Sequence, residues 1–126
     1  MSKQWTTEQL NKFTNADDLH VSHFYADRKT YGTPTWVWTV VVDHNLYVRA
    51  YNGQNSRWYQ SAMVQQAGKI KLTGKGFETK FIDAAGNNEL DLKISSAYQA
   101  KYKDSPYLPP MLKKGPVNAT VKILPR

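Results

Sequence analysis

Tyr47, Arg49 and Tyr51 occupy alternate positions in one short segment, and a second arginine follows at Arg57, within Leu46-Tyr47-Val48-Arg49-Ala50-Tyr51-Asn52-Gly53-Gln54-Asn55-Ser56-Arg57-Trp58-Tyr59. Alternate residues of extended backbone share a face, so Leu46, Val48 and Ala50 point to a core while Tyr47, Arg49 and Tyr51 gather on the opposite side. Ser56 and Arg57 then stand at a predicted helix start. Free N–H groups, a hydroxyl and one or two guanidinium groups there suit a phosphate or a carboxylate. The tyrosines and Trp58 are able to flank a flat ring. The same residues also have a structural reading, in which the arginines pair with carboxylates and the aromatics pack or line a subunit interface.

Other residues offer chemistry less directly. Thr35 and Thr39 share one face of a predicted strand with Val37, and their hydroxyls could meet a ligand, although threonine also simply favours strand geometry. Trp36 and Trp38 share the other face and read as core or interface. His20 and His23 fall on opposite faces of a strand, which does not suit a shared metal ion, and no cysteine or spaced carboxylate pair accompanies them. Nothing specific supports haem ligation by a single histidine. Gly74-Lys75-Gly76 fails the phosphate-loop spacing, because five residues separate Gly68 from Gly74 and a glycine follows the lysine; it reads as a hairpin turn. No nucleophile elbow or histidine-carboxylate arrangement occurs, so the catalytic residues are unknown at this level.

Composition bounds these readings. The chain has 126 residues with 40% hydrophobic and 13% aromatic content, which fits one globular domain over 1–126. It has no cysteine, which excludes disulfides and thiol chemistry and suits a reducing compartment. Met1 to Thr6 lacks the apolar stretch of a signal peptide and no apolar run approaches a membrane span, so a cytoplasmic location and no membrane partner are expected. The net charge of +7 admits an anionic ligand, a nucleic acid or simple solubility. The lysines are scattered. The stretch from Lys69 to Ile82, with four lysines against Glu78 alone, is locally basic, and aromatics interleaved with its lysines make a single-strand nucleic-acid binder a minority alternative.

The elements that must position these residues follow from pattern. Thr6 caps a short helix with Gln9 three residues on and Trp5 stapling onto Leu10, and Leu10 and Phe13 share its buried face. Leu19 to Tyr25 alternates as a strand. Thr35 to Asp43 is the clearest strand, and turns at Asp43-His44-Asn45 into a second, Leu46 to Tyr51. Asn52-Gly53 breaks it. Ser56 to Ala67 has helical spacing, with Gly68 as its stop. Lys69 to Thr73 and Phe77 to Ile82 form another hairpin. A longer helix is capped near Asn87 or Asn88 and runs through Leu90, Ile94, Ala97, Tyr98 and Lys101. A proline-rich connector at Ser105 to Pro110 and a closing strand, Val117 to Leu124, complete an α+β domain built on a six-stranded antiparallel sheet or barrel.

The stretches Tyr31-Gly32-Thr33-Pro34-Thr35-Trp36-Val37-Trp38, Leu46 to Gly53, Ser56-Arg57-Trp58-Tyr59-Gln60, Ala97 to Tyr102, Ser105-Pro106-Tyr107-Leu108 and Ala119-Thr120-Val121 resemble the bacterial domain of unknown function family 2255, and they cover nearly the whole chain. More remotely, the strand-hairpin-strand order, the Asn-Gly break and the Trp-Tyr helix resemble deazaflavin-dependent nitroreductases and other flavin-binding split-barrel proteins. That resemblance implies a six-stranded split barrel with flanking helices, a homodimer, and a flavin-like cofactor such as FMN held in a flavin- or deazaflavin-dependent oxidoreductase. By position, Thr35, Arg49, Asn52, Ser56, Arg57 and Trp58 would be its cofactor-binding residues. The chain departs from those enzymes in two places. It lacks their glycine-rich basic run before the first barrel strand, keeping only Arg28-Lys29 and Gly32, and Ala67-Gly68 replaces the Asn-Pro after their helix. The expected ligand is therefore flavin-like or another anionic aromatic small molecule. A non-catalytic binding or interaction domain with an empty pocket is the alternative, since related folds host unrelated functions.

Overall fold

A computed structural model describes residues 4–16, 19–23, 35–51, 53–106 and 108–125. Helix α1 (Thr7–Asn15) opens on a full capping box, with the Thr6 hydroxyl accepting from the Gln9 amide and the Gln9 side chain accepting from the Thr6 amide. Strand β1 (His20–His23) follows; its expected continuation through Phe24 and Tyr25 lies outside the described residues. The expected strand from Thr35 to Asp43 is two strands, β2 (Thr35–Trp36) and β3 (Thr39–Val42), interrupted at Val37-Trp38. Next come β4 (Asn45–Arg49), a 3-10 turn at Gly53–Asn55, and α2 (Arg57–Gln65). The hairpin is β5 (Ala67–Leu72) and β6 (Lys75–Asp83), and the long helix is α3 (Asn88–Lys101), with the Asn87 side chain accepting from the Leu90 amide. Two short helices, α4 (Leu108–Met111) and α5 (Lys114–Val117), lead into β7 (Thr120–Pro125).

Among the described residues all the pairings are antiparallel, in one seven-stranded sheet ordered β2-β1-β5-β6-β7-β4-β3. The count exceeds the expected six because one run changes partners. Trp36 pairs with His20 of β1 at one edge of the sheet, whereas Thr39 pairs with Val48 of β4 near the other. Two residues of backbone span less than about 10 Å, so the edges must lie close together and the sheet must curl. The Val37 amide still donates to the Leu19 carbonyl at 3.0 Å, so the transfer happens between Val37 and Thr39.

The inner face of the sheet holds the larger core. Leu46, Val48, Ala50, Ile70, Leu72, Phe81, Val121 and Ile123 pack there against Trp5, Leu10 and Phe13 of the first helical segment and Trp58, Tyr59 and Ala62 of α2. Trp5 meets Phe13 and Phe77 edge to face at 5.2 and 5.3 Å, and its indole N–H donates to the Ile123 carbonyl at 2.7 Å. A second core lies outside β3 and β4, where Val40, Val42 and Tyr47 meet Ile94 and Tyr98 of α3 and Leu108 and Met111 of α4. Gly68 does not stop α2 as expected. Gln66, left-handed at φ 56°, ends the helix, and Gly68 sits within β5, where an added Cβ would stand 2.6 Å from the Phe81 ring and 2.9 Å from the Ser22 carbonyl oxygen. Among the described residues no helix is long and apolar enough to cross a membrane.

Candidate functional site

The alternation of β4 holds as expected: Leu46, Val48 and Ala50 enter the inner core while Tyr47 and Arg49 point outward. The outward side at this end of the sheet, however, is roofed by α3 and α4, so Arg49 has no solvent-accessible surface. Its guanidinium donates through Nη1 to Ser95 Oγ at 2.9 Å and to the Met111 carbonyl at 3.2 Å, and through Nη2 to the Asp91 carbonyl at 3.0 Å. The Arg49 amide donates to the Tyr98 hydroxyl at 3.0 Å, and that hydroxyl donates onward to the Trp38 carbonyl at 2.8 Å. The guanidinium carbon lies 5.5 Å from the centre of the Tyr98 ring, within cation–π range.

Two features set this arginine apart from an ordinary buried cation. Nε has no hydrogen-bond partner, and among the described residues no carboxylate lies within ion-pair distance of the guanidinium. The Asp91 carboxylate acts on it only through space, and one of its oxygens, Oδ1, is also buried and unpartnered. Burial lowers the Arg49 pKa from its ordinary value, with Tyr98 and Asp91 opposing that shift. Arginine nevertheless stays cationic at neutral pH, so the chain encloses a positive charge that the Asp91 carboxylate offsets only through space, with no described carboxylate in ion-pair contact.

A cavity of about 300 Å³ adjoins that charge, lined by Trp36, Val37, Trp38, Arg49, Tyr51 and Met111. Trp36 is 55% and Tyr51 47% exposed, and Trp38 is half-buried and stacked on Tyr102 with centroids 4.1 Å apart and planes within 4°. The lining is mostly apolar, so the cavity combines aromatic walls with one cation. It exists because the backbone leaves the sheet at Val37-Trp38 and α4 carries Met111 across from elsewhere in the chain.

The sequence-predicted site residues divide. Arg49 lines the cavity with Tyr51. Thr35 is exposed on β2 and is not among the cavity's lining residues. Ser56 and Arg57 stand together at the start of α2, where Ser56 is the N-cap residue, its hydroxyl makes no capping bond, and Arg57 is exposed. Trp58 is buried in the inner core, edge-on to Tyr59 at 6.4 Å. Asn52 lies outside the described residues. Trp36, Trp38 and Met111 were missed as lining residues. Two tryptophans two apart on one strand face are a visible signal, but Met111 reaches the cavity only through tertiary contact.

The basic hairpin takes a different form from the interleaved pattern. Lys69, Lys71 and Lys80 are exposed, but Phe77 and Phe81 belong to the inner core with Trp5 and Phe13. Lys69 pairs in register with Glu78. The aromatic stacking that a single strand of nucleic acid needs is therefore turned away from the lysines. Among the described residues no group of His, Cys, Asp or Glu is placed to hold a metal ion.

A curled antiparallel sheet with helices against both faces makes this an α+β protein of half-barrel form. Residues 9–123 match the family described as an uncharacterized protein conserved in bacteria (DUF2255), and the chain belongs to that family. Its fold is similar to that of the conserved hypothetical protein Rv2991 from Mycobacterium tuberculosis, whose crystal structure aligns over 97% of this chain and 80% of that one, with a TM-score of 0.62 and 14% sequence identity. No curated protein matches the chain.

Proposed function

We propose that the protein is a split-barrel small-molecule binder whose ligand is flavin-like or another anionic aromatic compound, received in the cavity beside Arg49. The observation that carries this reading is the meeting of an enclosed guanidinium, its Nε without a hydrogen-bond partner, with Trp36, Trp38 and Tyr51 around one space. Aromatic walls favour a flat ring, and the cation favours a ligand that brings negative charge. On this reading the run from Thr35 to Val42 is a single bent barrel strand, which restores the six strands of a split barrel.

FMN is the first candidate ligand. A cavity of about 300 Å³ is at the small end for a ligand site, so it suits the ring system of such a molecule and leaves its phosphate outside. Ser56, whose hydroxyl makes no capping bond, and Arg57, exposed beside it, would take that phosphate. A bound flavin would supply hydride chemistry, and these residues would supply position and charge. The exposed Trp36 at the cavity's margin also fits a homodimer in which a second copy covers it.

Titration of the purified protein with FMN, followed by quenching of flavin fluorescence, tests the reading. Saturable binding is expected, weakened in Trp36→Ala and Arg57→Ala, with light scattering of the same samples reporting a dimer. Absence of binding in the micromolar range removes flavin from the proposal.

A further inference from the structure

We infer that the cavity selects a small aromatic monocarboxylate, whose carboxylate is received by the N–H donors that Arg49 leaves uncommitted; this rests on the cavity reading above and narrows it. Charge is the first argument. Arg49 brings one positive charge into a space otherwise lined by Val37, Met111 and aromatic rings, with no ion-pair partner among the described residues. A cation enclosed without an ion pair is costly, and a ligand carboxylate supplies the contact pair that the Asp91 side chain, acting only through space, does not. A phosphate dianion would bring twice that negative charge against a single guanidinium in apolar surroundings.

Donor count is the second argument. A guanidinium has five N–H donors. Those of Arg49 serve Ser95 Oγ, the Met111 carbonyl and the Asp91 carbonyl, and Nε–H serves nothing. Nη1 is spent on two acceptors and Nη2 on one, which leaves Nε–H and a single Nη2 donor. Two donors on one planar group match the two oxygens of a carboxylate, which reaches them once the side chains burying Arg49 at the cavity wall are displaced. The anchored Nη atoms also hold the group rigid, so a ligand pays little ordering cost for using it.

Size and walls are the third argument. A cavity of about 300 Å³ admits one or two fused rings rather than a whole dinucleotide. Trp36 and Tyr51, about half exposed, are the cavity residues that a ring arriving from solvent meets first.

The experiment is calorimetric titration of the full chain with benzoate, 2-naphthoate, 2-naphthamide and FMN, on the native protein, Arg49→Lys and Trp36→Ala, each checked for folding by circular dichroism. Naphthoate is expected to bind saturably, and the neutral amide at least about tenfold more weakly, the size of one charge-assisted hydrogen bond. Arg49→Lys, which keeps the charge but loses the planar fork, should retain part of that preference, and Trp36→Ala should weaken both naphthalene ligands together. If the amide binds as well as the acid, recognition by Arg49 is overturned while the cavity reading survives. FMN binding without any binding of the small acids also overturns this inference alone. Failure of all four ligands overturns both.

Discussion

Arg49 and Arg57 lie eight positions apart in one segment and look equivalent in sequence, yet they occupy opposite physical worlds. Arg57 is exposed on the first turn of α2. Arg49 has no accessible surface and ties β4 to α3 and α4 by three side-chain hydrogen bonds. The difference arises from what covers each face. The inner face of β4 is filled locally by the hydrophobic partners its alternation calls for, but the outer face is covered by helices that arrive forty to sixty residues later in the chain. A polar side chain on a strand's second face is thus a surface group or a buried one according to distant sequence, and the same residue type acquires a different chemistry in each case.

The sharpest way to break this comparison is to truncate both arginines. Arg49→Ala leaves the Asp91 and Met111 carbonyls and Ser95 without their donor, and although it also removes an enclosed charge, a net loss of about 3 kcal/mol is expected in urea unfolding. Arg57→Ala, on the surface, should change stability by less than about 0.5 kcal/mol. Equal effects would show that Arg49 is not the link between sheet and helices described above.

The inner face offers a test of intermediate size. Gly68→Ala places a methyl group against the Phe81 ring and the Ser22 carbonyl, and because the latter is backbone, the strands must shift. A cost of about 1–3 kcal/mol is expected from the same unfolding measurement. A neutral result would mean β1 and β5 are not held so closely.

Tyr98 sharpens the outer side. Its hydroxyl accepts from the Arg49 amide and donates to the Trp38 carbonyl, so Tyr98→Phe should cost about 1–2 kcal/mol at neutral pH. Burial raises this phenol above its ordinary 10.0, with the Arg49 charge opposing. Above pH 10 the unfolded chain releases the proton while the folded chain keeps it. The stabilisation is therefore complete below pH 10 and declines as pH rises, by up to about 1.4 kcal/mol per unit for this group. Unfolding midpoints across pH 9 to 11 should fall less steeply in Tyr98→Phe than in the native protein; parallel slopes would exclude Tyr98 as the titrating group.

The smallest effect belongs to the basic hairpin. With Phe77 and Phe81 in the core, Lys69, Lys71 and Lys80 offer only charge, so retention on a single-stranded DNA column should be weak and lost with modest salt. Tight, sequence-tolerant retention would require stacking residues elsewhere.

Much of the fold was legible because its signals are local. The Thr6 capping box, the Asn87 cap, the two-residue turn at Asp43-His44 and the alternation of β4 all depend on residues within a few positions of one another. The helix stop and the strand count were misread for a shared reason. Gly68 is glycine because of Phe81 and Ser22, and the run from Thr35 breaks because its two ends pair with β1 and with β4, neither of which is decided by neighbours in sequence. The candidate site was legible to the same extent: Arg49 and Tyr51 could be singled out from spacing, but the roof over Arg49 and the Met111 wall come from tertiary packing.

The two-residue passage at Val37-Trp38 has a consequence for how the protein keeps to itself in solution. Open sheet edges invite strands from other molecules. Here the outermost strands are successive pieces of one run, one of two residues and one of four, and the longer is packed against α1 and α3. At His20 and Val21 the first of these pieces covers the edge of β1, and the second lies under the helices, so little of either is left for a neighbour to join among the described residues. A chain unfastened at that passage would present both edges at once, so the passage that shapes the cavity is also what closes the sheet on itself.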